Sequence, residues 1–312
     1  MRVVVAGGAG FLGSHLCDVL LARGDEVVVV DDLSTGAWEN IAHHDANPAF
    51  RFIEADVSRD VPVDGLVDAV VNLASPASPP AYLARPLEAL AVGSEGTRRL
   101  LELAECHGAR FLQASTSEVY GDPMVHPQSE DYWGNVNPVG PRSVYDESKR
   151  FAEALVMAHH RTLGTKVGIA RIFNTYGPRL SPGDGRVVSN FIVQALRGAP
   201  LTVYGDGSQT RSLCYVADMV AGLLALLDSD VTGPVNLGNP IEITVLELAA
   251  RIIKAIGSSS VIGYGDLPID DPTRRQPDIA LAEKLLGWTP VVGLDTGLVN
   301  TIEYLKVASD LT

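Results

Sequence analysis

The stretch Arg2-Val-Val-Val-Ala-Gly-Gly-Ala-Gly-Phe-Leu-Gly13 decides how the chain folds. Arg2 to Ala6 is a short β-branched run, the composition of a buried strand. Glycines follow at Gly7, Gly10 and Gly13, and a helical apolar pattern runs from about Phe11 to Arg23. A strand that breaks into glycines and reopens as a helix suits a dinucleotide. Gly7 permits the tight turn, Gly10 lets the backbone approach a pyrophosphate, and Gly13 lets helix and strand pack closely. The helix N-terminus then offers N–H donors and partial positive charge to the phosphates. The next strand, Glu26 to Val30, ends at Asp31-Asp32. Asp31 falls about 20 residues beyond the glycines, where a carboxylate can accept from both ribose hydroxyls. It would repel a 2′-phosphate, so the expected cofactor is NAD and not NADP.

The alternation continues outward from that unit. Arg51 to Glu54, Leu66 to Leu73, Ala109 to Gln113 and Lys166 to Phe173 read as further strands, and about Pro86 to His107 as a long helix. Strands alternating with helices imply an α/β fold with a doubly wound parallel Rossmann sheet. The polar loop Ser115 to Gly121 lies at a strand's carboxyl end, where ligands bind in such sheets. After Asn174-Thr175-Tyr176-Gly177-Pro178 the alternation breaks. Shorter elements follow: helices near Val188–Arg197, Val216–Leu227, Val245–Ile256, Ile279–Leu286 and Leu294–Lys306, and a strand near Leu201–Tyr204. The expected division is 1–174 as a NAD-binding domain and 175–312 as a smaller substrate-binding lobe, with some segments returning to the main sheet.

Composition bounds the partners. The chain has 312 residues, 46% hydrophobic and 20% charged, as in a compact folded protein. A formal net charge of −14 argues against nucleic acid or an anionic membrane as partner. An anionic ligand would need local cations, and the Arg residues after position 170 can supply them. Cys17, Cys106 and Cys214 show no CxxC spacing and no disulfide framework. The first strand begins within a residue or two of Met1, leaving no room for a signal peptide, and no apolar run approaches the roughly 20 residues of a membrane span. The expectation is a cytoplasmic protein.

Ser143 to His160 reads as a helix with Ser143 as N-cap. A spacing of four places Tyr145 and Lys149 on one side of it. A phenol has a reference pKa of about 10. An ammonium nearby favours the phenolate, and bringing it near neutrality takes about 4 kcal/mol. Such a base can take a hydroxyl proton while a hydride leaves the same carbon. A lone Tyr-x-x-x-Lys is also an ordinary surface pattern, so the motif gains weight only from its company.

That company is specific. The Gly-x-x-Gly-x-x-Gly loop, Ser115-Thr-Ser-Glu118 and Tyr145-x-x-x-Lys149, in this order, resemble the extended short-chain dehydrogenase/reductases that act on nucleotide sugars. Leu73 to Pro80 (LASPASPP), Ser115 to Asp131 (STSEVYGDPMVHPQSED), Arg171 to Arg179 (RIFNTYGPR), Asp184 to Phe191 (DGRVVSNF), Leu201 to Arg211 (LTVYGDGSQTR) and Asp270 to Ile279 (DDPTRRQPDI) resemble the UDP-glucuronate decarboxylase (UDP-xylose synthase) family. The resemblance runs from Arg2 to Lys306. One departure is Gly93, which stands where an Asn is common three residues before Gly96. Eukaryotic members carry an N-terminal membrane anchor; none is expected from this sequence, so the resemblance points to a bacterial-type cytosolic enzyme.

The resemblance implies redox-neutral chemistry with NAD kept bound. Tyr145, held as phenolate by Lys149, takes the C4 hydroxyl proton as C4 hydride passes to the cofactor. The C4 ketone then takes up the electrons that departing CO2 leaves behind, and protonation at C5 with return of the hydride yields UDP-xylose. Thr116 would hydrogen-bond the C4 oxygen; its structural alternative is satisfying the strand end. Glu118 would hold a water or act as acid or base near C5, the alternative being a solvated loop carboxylate. Arg275, two residues before Pro277, would bind the sugar carboxylate. Local sequence does not choose it over Arg274.

Implied cofactor contacts are Gly7, Gly10, Phe11, Leu12, Asp31, Asp32, Ser34, Thr35, Gly36, Asp56, Val57, Leu73, Ala74, Ser75, Tyr145, Lys149, Thr175 and Arg186. Implied substrate contacts are Tyr82, Glu118, Asn174, Val188, Asn190, Val203, Tyr204, Gln209, Arg211 and Arg275. Arg179 is a weaker candidate, and plain core packing is the alternative for Val203 and Tyr204. No metal is expected: His43-His44-Asp45 reads as a helix end before a polar loop. A homodimer is implied through the helices around 86–107 and 145–163. A 4-epimerase or 4,6-dehydratase would share the oxidation but not the loss of CO2, and a catalytically dead NAD-binding sensor would share only the cofactor site.

Overall fold

The computed structural model describes residues 1–267 and 274–309. Six strands from the first 172 residues build most of the sheet: β1 (Arg2–Ala6), β2 (Glu26–Asp31), β3 (Phe50–Glu54), β4 (Ala69–Asn72), β5 (Arg110–Thr116) and β6 (Val167–Ile172). A seventh, Pro234–Leu237, joins beside β6, giving the order Pro234–Leu237, β6, β5, β4, β1, β2, β3. Every pairing is parallel. Apart from the edge strand β3, whose residues are exposed or half-buried, the strands are covered on both faces and their residues alternate between two cores. Val3, Val5, Val27 and Val29 pack with Leu16, Cys17, Leu20, Met219 and Leu223 on one side. Val4, Val28, Val30 and Val70 pack with Leu100, Leu101, Ala104 and Val156 on the other. Because the order reverses between β1 and β4, a crevice opens at the strands' carboxyl ends.

The covering helices are α1 (Phe11–Ala22), α2 (Pro79–Ala84), α3 (Pro86–Ala91), α4 (Thr97–His107) and α5 (Ser143–Leu163). Several differ from expectation. The long helix expected over 86–107 is broken into α3 and α4 by a π-turn at Val92–Gly96. A Cβ on Gly93 in that turn would come within 2.6 Å of the Ser148 Cβ on α5. Close contact with α5 therefore replaces any polar contact an Asn would make. Ser143 is the first helical residue of α5 and not its N-cap; Arg142 precedes it without a side-chain cap bond. The strand at Leu66–Leu73 shortens to Ala69–Asn72. Helix α2 starts with two prolines, which read as breakers but are tolerated in a helix's first turn.

In the second half, Val187–Leu196, Val245–Ile256 and Leu294–Ser309 surround a separate core that includes Phe191, Ile192, Leu248, Ile252, Leu298 and Leu305. Helix Val216–Leu227 instead packs on the α1 side of the sheet. Among the described residues, no helix is long and apolar enough to cross a membrane.

Candidate active site

The glycine loop forms the cradle its spacing predicts. Gly7 has φ +77°, and a Cβ there would lie 2.7 Å from the Ala74 nitrogen; a Cβ on Gly13 would strike the Gly7 carbonyl. No side chain caps the start of α1 at Gly10, so its first N–H groups face the crevice unclaimed by any cap. Asp31 is buried at the end of β2, where its carboxylate accepts from the Ala9 N–H and the Leu33 N–H, both at 2.9 Å. Burial raises its pKa against those hydrogen bonds. Asp32 is exposed and accepts from the Ser34 N–H at 3.0 Å. Gly36 packs against Ala9, holding Ser34 and Thr35 on the rim. Asp56 and Val57 follow β3, and Leu73, Ala74 and Ser75 follow β4. Phe11 and Leu12 open α1, and Thr175 follows β6. The backbone-lined, small-residue floor with an acid at its edge fits an NAD dinucleotide.

Facing this floor, α5 presents the Tyr-Lys pair. Tyr145 is 6% exposed and Lys149 4%. The Lys149 ammonium donates to the Ala114 carbonyl at 3.0 Å and lies 5.8 Å from the Tyr145 ring centre. Tyr145 hydrogen-bonds Thr116 and stacks on Tyr82, ring centres 5.1 Å apart. The phenol's pKa moves opposite to expectation. Burial pushes Tyr145 up to about 12, although the Thr116 hydrogen bond and the Arg186 charge oppose this. Burial also brings Lys149 down to about 8. Desolvation disfavours phenolate and ammonium alike, so the two protons come closer in affinity while the phenol stays neutral.

Beyond Thr116, the short helix Ser117–Tyr120 carries Glu118. Its Oε2 accepts from Arg142 at 2.8 Å and from Arg275 at 3.1 Å. Burial would raise this carboxyl, but the guanidinium groups of Arg275 and Arg142 outweigh it and hold Glu118 below the ordinary carboxylate range. Arg275 is 1% exposed and also donates to the Ser117 carbonyl at 2.6 Å; Arg274 is exposed. Gln128, fully buried, fixes the segment carrying Arg275. It donates its N–H to the Gln276 carbonyl and accepts the Gln276 N–H on Oε1, both at 2.9 Å. Its own carbonyl accepts from Asp278 at 2.8 Å. Of the stretch 270–279, residues 270–273 lie outside the described residues.

The remaining substrate candidates are spread over the second half. Arg211 lies near enough to lower the Glu118 pKa. Arg186 donates to the Ala77 carbonyl at 3.1 Å, and Asn190 to the Gly185 carbonyl at 2.9 Å. Val188 and Val203 are buried in the second core, Tyr204 is 43% exposed, and Gln209 folds back onto the Tyr204 carbonyl at 2.7 Å. Asn174 is half-buried after β6. Arg142, Asp146 and Gln128 belong to the site's structure and were not singled out in the sequence. Only their placement inside the quoted stretches or beside Tyr145 hinted at them. Away from the crevice, His43 and His44 occupy a 3-10 turn and meet Asp18 Oδ1 at 2.8 and 2.7 Å, with Arg179 on Oδ2 at 2.7 Å.

Fold and site together define an α/β dinucleotide-binding enzyme with a tyrosine–lysine pair at the crevice. The chain belongs to the NAD dependent epimerase/dehydratase family, whose profile matches residues 3–238. It is 53% identical to UDP-glucuronic acid decarboxylase 1 of Arabidopsis thaliana, over 97% of this chain and 69% of that protein. UDP-glucuronic acid decarboxylase 1 of Xenopus tropicalis is 52% identical over 98% of this chain and 72% of its own length. The chain thus spans roughly two thirds of these relatives. Among solved structures it resembles UDP-glucuronic acid 4-epimerase from Bacillus cereus in complex with UDP-glucuronic acid and NAD. That likeness has a TM-score of 0.88 at 30% identity, covering 99% of this chain and 100% of the other.

Proposed function

We propose that the protein converts UDP-glucuronate to UDP-xylose and CO2. When bound on the glycine floor, NAD supplies the acceptor and later the donor of the C4 hydride. Thr116 and Tyr145 engage the C4 oxygen, and Tyr145 takes its proton. Burial opposes that step, so Lys149 must favour the phenolate as charge develops. The ketone formed at C4 lies β to the carboxylate and can receive the electrons of the breaking C–C bond. Arg275 holds that carboxylate in bidentate fashion. Asn174 and Arg211 serve the diphosphate, and the Val203-Tyr204 backbone the uracil. On this reading residues 1–174 form the cofactor domain and 175–312 the nucleotide-sugar lobe, with Thr116, Glu118, Tyr145 and Asn174 reaching the sugar nucleotide from the first.

What carries the reading is Arg275 and Arg142 clamped on Glu118 next to Thr116 and Tyr145. A 4-epimerase of uncharged sugars needs no such cationic group beside the ring, and one acting on UDP-glucuronate would leave the carboxyl in its product. Mass spectrometry of products from purified protein and UDP-glucuronate, with no added reductant, tests it. A UDP-pentose and CO2 are expected; a product retaining all six sugar carbons overturns the reading. The protein is further proposed to be cytoplasmic and to act as a homodimer. Support for the dimer comes from exposed Leu83, Leu87 and Leu90 on α2 and α3 and Phe151 on α5.

A further inference from the structure

Asp146 lies between Tyr145 and Lys149 and has no part in the chemistry above. It is 6% exposed, and its Oδ1 is shut away from solvent with no hydrogen-bond partner among the described residues. An unpartnered buried carboxylate oxygen is costly, so a native one calls for a reason. The Tyr82 hydroxyl, which feels the charges of Arg142, Glu118 and Asp146, is likewise buried without a partner.

The groups facing Asp146 come from every element around it. Glu118 stands on the turn after β5, Arg142 just before α5, Arg275 on the segment held by Gln128, and Glu147 on its own helix. Tyr82 of α2 and the neighbouring Tyr145 also feel its charge. Ionised Asp146 and Glu118 balance Arg142 and Arg275, while Glu147 is only half-buried and Arg211, also near Glu118, is assigned to the diphosphate. A substrate carboxylate brought to Arg275 upsets that balance unless one carboxyl takes a proton. Glu118 is held ionised by its two guanidinium partners, which leaves Asp146. Burial, and then the Glu118 charge, already push Asp146 up to about 7.

Decarboxylation needs such a proton. Replacing CO2 by hydrogen at C5 consumes one proton in each turnover. We propose, on the reading that UDP-glucuronate is the substrate, that Asp146 stores this proton and supplies it to C5 by way of Glu118. The bond from C5 to the carboxyl breaks, and its electron pair enters the C4 ketone as an enolate while CO2 departs. Asp146 passes its proton to Glu118, and the enolate collapses back to the ketone as that proton forms the C–H bond at C5, leaving Glu118 ionised again. Asp146 is left ionised and regains a proton from solvent. It acts through Glu118 and so is a positioning residue for the proton.

The test uses the full chain with NAD. Asp146→Asn keeps the side chain's shape and removes the acid. CO2 release should fall roughly a hundredfold, while the NADH absorbance that forms on mixing with UDP-glucuronate persists. The fall in wild-type kcat as pH rises past the Asp146 pKa should vanish. An unchanged rate and pH profile, or equal loss of oxidation and decarboxylation, overturns the proposal. A second measurement serves should this variant not fold. In the oxidation-blocked Tyr145→Phe protein at pH 8, UDP-glucuronate binding should take up about one proton and UDP-xylose binding none. Equal uptake for both, or none for either, also overturns it. Failure of the underlying function shows separately, as a wild-type protein that releases no CO2.

Discussion

Arg274 and Arg275 are adjacent and chemically identical, yet one is exposed and the other is 1% exposed against Glu118. Local sequence could not separate them, because the difference is made by Gln128 reaching across from a distant loop. A buried guanidinium with two acceptors is held in place, and its loss leaves Glu118 with one partner fewer in low dielectric. Arg275→Ala should therefore cost about 3 kcal/mol of transition-state stabilisation, roughly a hundredfold in the rate of CO2 release. UDP affinity measured by calorimetry should change little, and Arg274→Ala should change neither quantity. Equal losses of rate and UDP affinity in Arg275→Ala would reduce Arg275 to a binding group. The Tyr145 pKa illustrates what residue identity alone conceals. Spacing of four put an ammonium near the phenol, but how far both would be desolvated depends on Tyr82 of α2 and on Ala114 and Thr116 of β5.

Elements were legible where one strong signal ran for several residues. The strands β1 and β2, the glycine turn and helices α1 and α5 have unbroken patterns, and the structure places them as read apart from one to three residues at their ends. Short elements without a pattern were not. Pro234–Leu237 spans four residues and begins with proline, which costs nothing at a sheet edge but reads as a loop. The π-turn at Val92–Gly96 left no mark except Gly93, because a π-turn is set by what packs on it. That packing is testable. A Cβ at position 93 would meet Ser148 Cβ at 2.6 Å and Oγ at 2.9 Å, too close without a shift of α3 or α5. Helix propensity favours alanine over glycine by about 1 kcal/mol, while overpacking costs about 1–3 kcal/mol. Gly93→Ala should lower stability by about 1 kcal/mol in denaturant titration, and Ser148→Gly in the same chain should relieve the clash. A stabilised Gly93→Ala protein would mean that the two helices part freely.

At the scale of the whole molecule, the tyrosine–lysine helix is only partly supported from within the chain. One face of α5 meets β5 and the π-turn, where Ala152 and Val156 are fully buried. Its Phe151, six residues past Tyr145, is 45% exposed. Next to it, α3 leaves Leu87 76% exposed and Leu90 38%, and α2 leaves Leu83 49% exposed beside the buried Tyr82 that stacks on Tyr145. Apolar side chains collected on adjoining helices stay wet at a cost of about 1.5–3 kcal/mol each when large, and a second copy offers the same surface in return. The proposed dimer thus buries the outer faces of the helices whose inner faces position Tyr82 and Tyr145. Light scattering on the eluting protein should give twice the chain mass at micromolar concentration. Leu87→Glu combined with Phe151→Glu should give the single mass with NAD still bound. Because α5 then loses its outer support, turnover should fall with dissociation, by roughly tenfold if the base moves by even a fraction of an ångström. A wild-type monomer with full activity would show that the crevice is rigid without a partner, and that the exposed leucines serve some other contact.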